Sequence, residues 1–155
     1  MTTSPMPRGS CSCQQVSFTL TGPILFRALC HCSICQGFNA APYGDVLAIR
    51  ASDLAVKGAE HIAYRSHRQP PLLSRGRCAR CDGVAIERLN LPLMPKIYLI
   101  PAQTFEAAAV LPKASFHIFY DKRQQDHADT LPKSSGYLPS ELRFTRALLA
   151  SLLEN

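Results

Sequence analysis

Apolar and polar positions first alternate at Val16, Phe18 and Leu20, with Ser17 and Thr19 between them. A period of two puts the three apolar side chains on one face, which predicts a half-buried strand closed by a Thr21-Gly22-Pro23 turn. Short apolar runs predict further strands over Ile24–Leu29, Val46–Ile49, Ala63–Ser66, Val84–Leu89, Lys96–Ile100 and Phe116–Tyr120, and Ser52-Asp53-Leu54 reads as a turn. Twelve prolines are spread along the chain, which suits short strands and loops better than long helices. The segment 67–77 is basic and proline-interrupted and leads into Cys78. The period changes only at the end: Leu142, Leu148, Leu149, Leu152 and Leu153 recur near helical spacing. This predicts a helix over 140–155 with Ser140 as its N-cap, packed on the body, with a dimer contact as the alternative fate of the stripe. Residues 1–8, with Pro5 and Pro7 among small polar neighbours, read as a flexible tail.

Composition narrows the class. At 155 residues, 46% hydrophobic and 18% charged, the chain is too apolar to be disordered throughout and holds one core rather than two. No apolar run approaches the roughly 18 residues of a membrane span, and the first ten residues carry no apolar signal region. The expectation is a soluble, cytoplasmic single domain with no membrane partner. Lys and Arg outnumber Asp and Glu by 17 to 11, a formal charge of +6.

Cysteine changes the picture most. The chain has seven, all in tight groups: Cys11 and Cys13, then Cys30, Cys32 and Cys35, then Cys78 and Cys81. Thiols used as small core hydrophobes would not cluster in this way. Thiolates one or two residues apart can reach one metal ion, and zinc takes four in a closed site or three with a position left open. Seven divide naturally as four plus three. The two pairs make the closed site and the triplet makes the open one. A site completed by His31 remains open on spacing alone, although in an extended segment His31 points away from Cys30 and Cys32. Redox pairs and an iron–sulfur centre are further alternatives. Roughly 65 residues separate the two pairs, so one shared ion would staple the N-terminal strand to the middle of the chain.

The pieces Gly9-Ser10-Cys11-Ser12-Cys13, Cys30-His31-Cys32-Ser33-Ile34-Cys35-Gln36, Cys78-Ala79-Arg80-Cys81-Asp82-Gly83, His117-Ile118-Phe119-Tyr120-Asp121-Lys122 and Asp129-Thr130-Leu131-Pro132 together resemble the glutathione-dependent formaldehyde-activating enzyme family, also grouped with centromere protein V. The resemblance runs over roughly residues 9–139 and sets the domain there. It implies a mainly β fold, the β-tent of several small antiparallel sheets, here with a C-terminal helix. It implies two zinc ions per chain: a structural one on Cys11, Cys13, Cys78 and Cys81, and a catalytic one on Cys30, Cys32 and Cys35. It implies carbon–sulfur lyase chemistry on the adduct of glutathione with formaldehyde. Three features depart from the family. Arg77 stands where an aromatic residue often precedes Cys78, Asp82 intervenes before Gly83, and Lys122-Arg123-Gln124-Gln125 occupies a region where a Trp is usual.

A three-thiolate zinc is electron-rich and suits binding or activating a thiol better than generating hydroxide. The partners expected are a small thiol such as glutathione and a small aldehyde. His117, Tyr120 and Asp121 are candidates for moving the proton, and Arg50, Arg65, Arg68 or Arg75 for attracting an anionic thiol. The rival functions are a zinc-stabilised binding module without catalysis and a labile zinc or thiol carrier. Nucleic acid is disfavoured: the basic residues form no long run, and two zinc ions with seven thiolates lower the formal charge to about +3.

Overall fold

The computed structural model describes residues 6–107 and 110–154. Among them the chain forms, in order, β1 (Arg8–Ser10), β2 (Ser17–Leu20), β3 (Ile24–Cys30), α1 (Ser33–Asn39), β4 (Gly44–Arg50), β5 (Leu54–Lys57), β6 (Ile62–Ser66), β7 (Leu73–Cys78), β8 (Val84–Leu89), β9 (Ile97–Pro101), β10 (Phe116–Ile118) and α2 (Tyr137–Glu154). A three-stranded sheet runs β1-β2-β5 and a seven-stranded sheet runs β10-β3-β4-β9-β8-β7-β6. All pairings are antiparallel except β10 with β3, which is parallel. The fold is thus mainly β with a C-terminal helix, as expected. Most of its strands, however, join one large sheet rather than several small ones.

The layers explain the apolar patterns. In β4, Val46 and Ala48 enter one core while Leu47 and Ile49 enter another. A strand covered on both faces needs no polar alternation, hence the continuous run Val46–Ile49. On one side, Phe18 and Leu20 of β2 and Leu54 of β5 pack on Leu47, Ile49, Ile86 and Ile100. On the other, α2 packs on Phe26, Ala28 and Phe116, with Phe144 edge-on to Phe26 at 5.3 Å and Leu148 fully buried.

The sequence and the structure part company at several places. Arg8, expected in the tail, pairs with Thr19 in β1, and the Pro7 carbonyl accepts from the Leu20 amide at 3.0 Å; residues 1–5 lie outside the described ones. The helix α2 starts at Tyr137, so Ser140 is no N-cap. Its buried hydroxyl accepts the Phe119 amide at 2.8 Å instead. Pro139 is tolerated because the first helical turn has no partner for its amide anyway. Of the leucine stripe, Leu148 is buried and Leu152 packs against the core beside it, whereas Leu142, Leu149 and Leu153 are exposed. The basic segment ends in a strand, β7, paired on both sides. β10 stops at Ile118 because Phe119 turns left-handed, at φ 53°.

Candidate metal centres and the adjoining cavity

The first cysteine group forms where the two sheets meet. The β1–β2 turn is held by Cys11 and Val16, whose amide and carbonyl bond at 3.0 Å, and it carries Cys11 and Cys13. The β7–β8 turn carries Cys78 and Cys81, closed by the Cys78 amide on the Gly83 carbonyl at 2.9 Å. All four sulfurs lie within 4.8 Å of one another. Cys13 Sγ is 3.7 Å from Cys11 Sγ and 3.8 Å from Cys78 Sγ. Zinc–sulfur bonds of about 2.3 Å put tetrahedral thiolates about 3.8 Å apart, so these spacings fit one ion. The Val16 and Gly83 amides donate to Cys11 and Cys81 at 3.3 and 3.4 Å. Burial raises Cys81, but the Gly83 amide and its cysteine neighbours outweigh it and bring the thiol down to about 6.

Two family departures find their reasons here. Asp82 takes a left-handed conformation, φ 58°, which Asp tolerates better than most residues, and leaves Gly83 beside the sulfur. A Cβ on Gly83 would sit 3.1 Å from both Cys81 Sγ and Ser12 Oγ. Arg77 braces the turn from the outside. It stacks on Phe38 at 4.8 Å and donates to the carbonyls of Phe38 and Asp82 at 2.6 and 2.9 Å.

The triplet forms at the end of β3. Cys30 closes the strand, Cys32 caps α1 by accepting the Cys35 amide at 3.3 Å, and Cys35 lies in the first helical turn. All three are buried and their sulfurs lie within 4.8 Å of one another. They share protons unequally. Hydrogen bonds from Cys30 and Cys35 pull Cys32 far below the usual thiol range, helped by the Arg75 charge; hydrogen bonding to Cys32 pushes Cys30 well up. For Cys35 the Cys30 contact lowers the thiol, but Cys32 and burial win and leave it at about 12. Three sulfurs that cannot ionise together without a cation are the donor set a divalent metal satisfies by displacing the protons.

These three cysteines line a cavity of about 230 Å³. Val46, Leu89, Leu99, Ile118, Phe119 and Phe144 give it apolar walls. Arg68, Arg75, Glu87 and Glu141 supply its charges. Arg75 and Glu87 face each other across β7 and β8, 3.0 Å apart and almost completely buried, and Arg75 also donates to Cys35 Sγ at 3.5 Å. Burial raises Glu87 to about 7 against the pull of Arg75, and its Oε2 has no partner among the described residues. Glu87 was missed in the sequence, where an acid inside VAIERL carries no sign of what stands opposite it.

The other candidates go elsewhere. Of the four arginines, Arg68 and Arg75 line the cavity; Arg50 and Arg65 do not. Tyr120 and Asp121 do not line it either, and Asp121 accepts the Gly136 amide at 2.7 Å. His117 is buried on the opposite face. Ile118 pairs with Cys30 and shares its face, so by alternation His117 falls on the other side, beside His31. His31 Nε2 lies 2.8 Å from His117 Nδ1, and His117 Nε2 lies 2.9 Å from Asp129. His31, as its alternation implied, joins imidazoles rather than thiolates, and burial with the neighbouring His117 and His127 lowers it to about 4. Lys122–Gln125 also belongs to this side, with Gln124 donating to Gln36 at 3.1 Å.

A mainly β body with a closed four-sulfur cluster and an open three-sulfur cluster beside a cavity defines the class. The chain belongs to the family described as glutathione-dependent formaldehyde-activating enzyme, which it matches over residues 6–122. It is similar in fold to a Rhodobacter sphaeroides protein solved by crystallography as a structural genomics target, with 22% identity, a TM-score of 0.52, 68% of this chain and 91% of that chain covered. No curated protein matches it.

Proposed function

We propose that this protein is a zinc-dependent carbon–sulfur lyase acting on adducts of a small thiol and a small aldehyde, of the S-hydroxymethylglutathione type. The observation that carries the reading is the three-cysteine cluster lining the 230 Å³ cavity, with no fourth metal-ligating side chain beside it among the described residues. Zinc bound by Cys30, Cys32 and Cys35 would supply a position for the substrate sulfur. Arg68 at the cavity wall would attract the carboxylates of glutathione. Glu87, raised towards neutrality and with one oxygen free, would take the hydroxyl proton of the adduct as the carbon–sulfur bond breaks. The bonding pair stays on sulfur, the carbon–oxygen double bond forms, and the proton returns to the thiolate; the reverse path condenses thiol and aldehyde. Seven unpaired cysteines suit a reducing, cytoplasmic setting.

The test follows exchange between free thiol, aldehyde and adduct by carbon-13 NMR, over glutathione and more apolar thiols. Acceleration by the metal-loaded wild type, abolished in Cys32→Ser and strongly reduced in Glu87→Gln, is the expected result. A fully loaded wild type that accelerates exchange of none of these adducts overturns the reading.

A further inference from the structure

The side of β3 away from the thiolates holds a second constellation that the lyase reading does not use. His31, His117 and His127 bring one ring nitrogen each to within 4.8 Å of one another. Their ring centroids form a near-equilateral triangle: 5.1 Å between His31 and His117, 5.0 Å between His31 and His127, and 4.9 Å between His117 and His127. Imidazoles bound to one zinc at about 2.0–2.1 Å have centroids about 3.2 Å from it, hence about 5 Å apart at tetrahedral angles. The triangle matches that spacing, and the one nitrogen pair in hydrogen-bond contact, His31 Nε2 to His117 Nδ1 at 2.8 Å, would open by about half an ångström around an ion.

Three different elements build it. His31 follows β3, with its amide on the Ile118 carbonyl at 3.0 Å; His117 lies in β10; and His127 comes from the loop before α2. The loop is aimed by the His127 amide, which donates to the Tyr120 hydroxyl at 2.8 Å. His31 and His117 are almost wholly inaccessible. His117 holds its outer nitrogen against Asp129 at 2.9 Å, the carboxylate–histidine arrangement that fixes the tautomer of a metal ligand and turns Nδ1 inward. Asp129 is anchored by Lys133 at 2.8 Å.

A hydrogen-bonded relay from Asp129 through His117 to His31 would account for two of the imidazoles. It leaves His127 without a purpose, and His127 Nε2 is a buried nitrogen with no partner among the described residues. A buried, unpartnered nitrogen on a ring about 5 Å, centroid to centroid, from two other imidazoles is what an ion would satisfy. We propose that His31, His117 and His127 form a further metal site, a three-imidazole centre for a divalent transition cation such as zinc. Three neutral nitrogens select this borderline class over magnesium or calcium, which want oxygen. The fourth position is left to water or a small anion, and the ion would tie the loop carrying His127 to β3 and β10.

The experiment uses the full chain, zinc and cobalt, and two readouts. The first is metal content after equilibration with zinc and removal of the excess. His127→Ala should bind one ion fewer than wild type, with both cysteine sites still filled, and cobalt loaded into the missing site should show ligand-field bands without thiolate charge transfer. The second needs no variant. On zinc addition the imidazole nitrogen-15 signals of His31, His117 and His127 should move together while those of His61 and His67 stay put. Equal metal content in wild type and His127→Ala overturns the proposal. So does zinc binding that shifts only His61 or His67, or none of the five. Neither readout depends on turnover, so the site stands or falls apart from the lyase reading.

Discussion

Replacing Cys78 by Ser should unfold far more of this protein than replacing Cys32 by Ser, and the reason is chain length. The first cluster joins Cys13 to Cys78, 65 residues apart in sequence. Cross-linking a loop of that size removes about 4 kcal/mol of conformational freedom from the unfolded chain, on the loop-entropy expression used for disulfides. The triplet spans only about half a dozen residues, for which the same expression yields about 2 kcal/mol, part of it already supplied by β3 and α1. In a chain of this size each kcal/mol moves the melting temperature by about 2–4 °C. Cys78→Ser should therefore melt about 8–16 °C lower, and Cys32→Ser only a few degrees lower. Each should lose one equivalent of zinc. The assay is thermal unfolding by circular dichroism with metal analysis, with and without a strong chelator. The chelator should bring wild type down to Cys78→Ser and change that variant little. Equal melting temperatures for the two variants, with the expected metal losses, would refute the division into a stapling site and an open one.

Above about pH 7, where Glu87 is ionised, Arg75→Met should destabilise the protein by about 3–5 kcal/mol in urea unfolding, and by less at lower pH where Glu87 holds its proton, and Glu87→Gln on top should recover most of the loss. Glu87 is raised from 4.5 to about 7 on folding, so its ionisation works against the fold. Its contribution is fully present below the unfolded value and is lost as pH rises through the folded one. The stability of Glu87→Gln relative to wild type should thus increase between about pH 4.5 and 7, and a flat difference would show that burial does not hold the proton. Gly83→Ala should weaken zinc retention in a chelator competition, since its Cβ presses on Cys81 Sγ and Ser12 Oγ, whereas Asp82→Gly, which relieves a left-handed residue, should retain zinc at least as well as wild type.

Much of this architecture was legible along the chain. Where one face is buried, alternation gives the strand, as in β2; where both are, the run is continuous, as in β4. The metal clusters were legible for a simpler reason. Thiolates one or two residues apart have few other uses in such numbers, and pairing the groups as four plus three needs only arithmetic. What was missed lacked a local signal. The helix α1 is one short stretch with Gly37 and Asn39 inside it, and its start is set by Cys32 as a cap. β7 hid among prolines and arginines because its partners, not its composition, make it a strand.

The sequence by itself determined the cysteine division, the mainly β character, the terminal helix and, through the period of two, that His31 turns away from its cysteine neighbours. The tertiary structure decided which groups meet across long separations. It put Arg75 opposite Glu87 through the register of β7 and β8, and it gave the cavity a wall from α2. It also separated His117 from the thiolates and gathered three histidines, 86 residues apart between His31 and His117, around one point. Periodicity reports only which way a side chain faces relative to its neighbours. Strand order and register choose what it faces, and those are fixed by the packing of the whole chain.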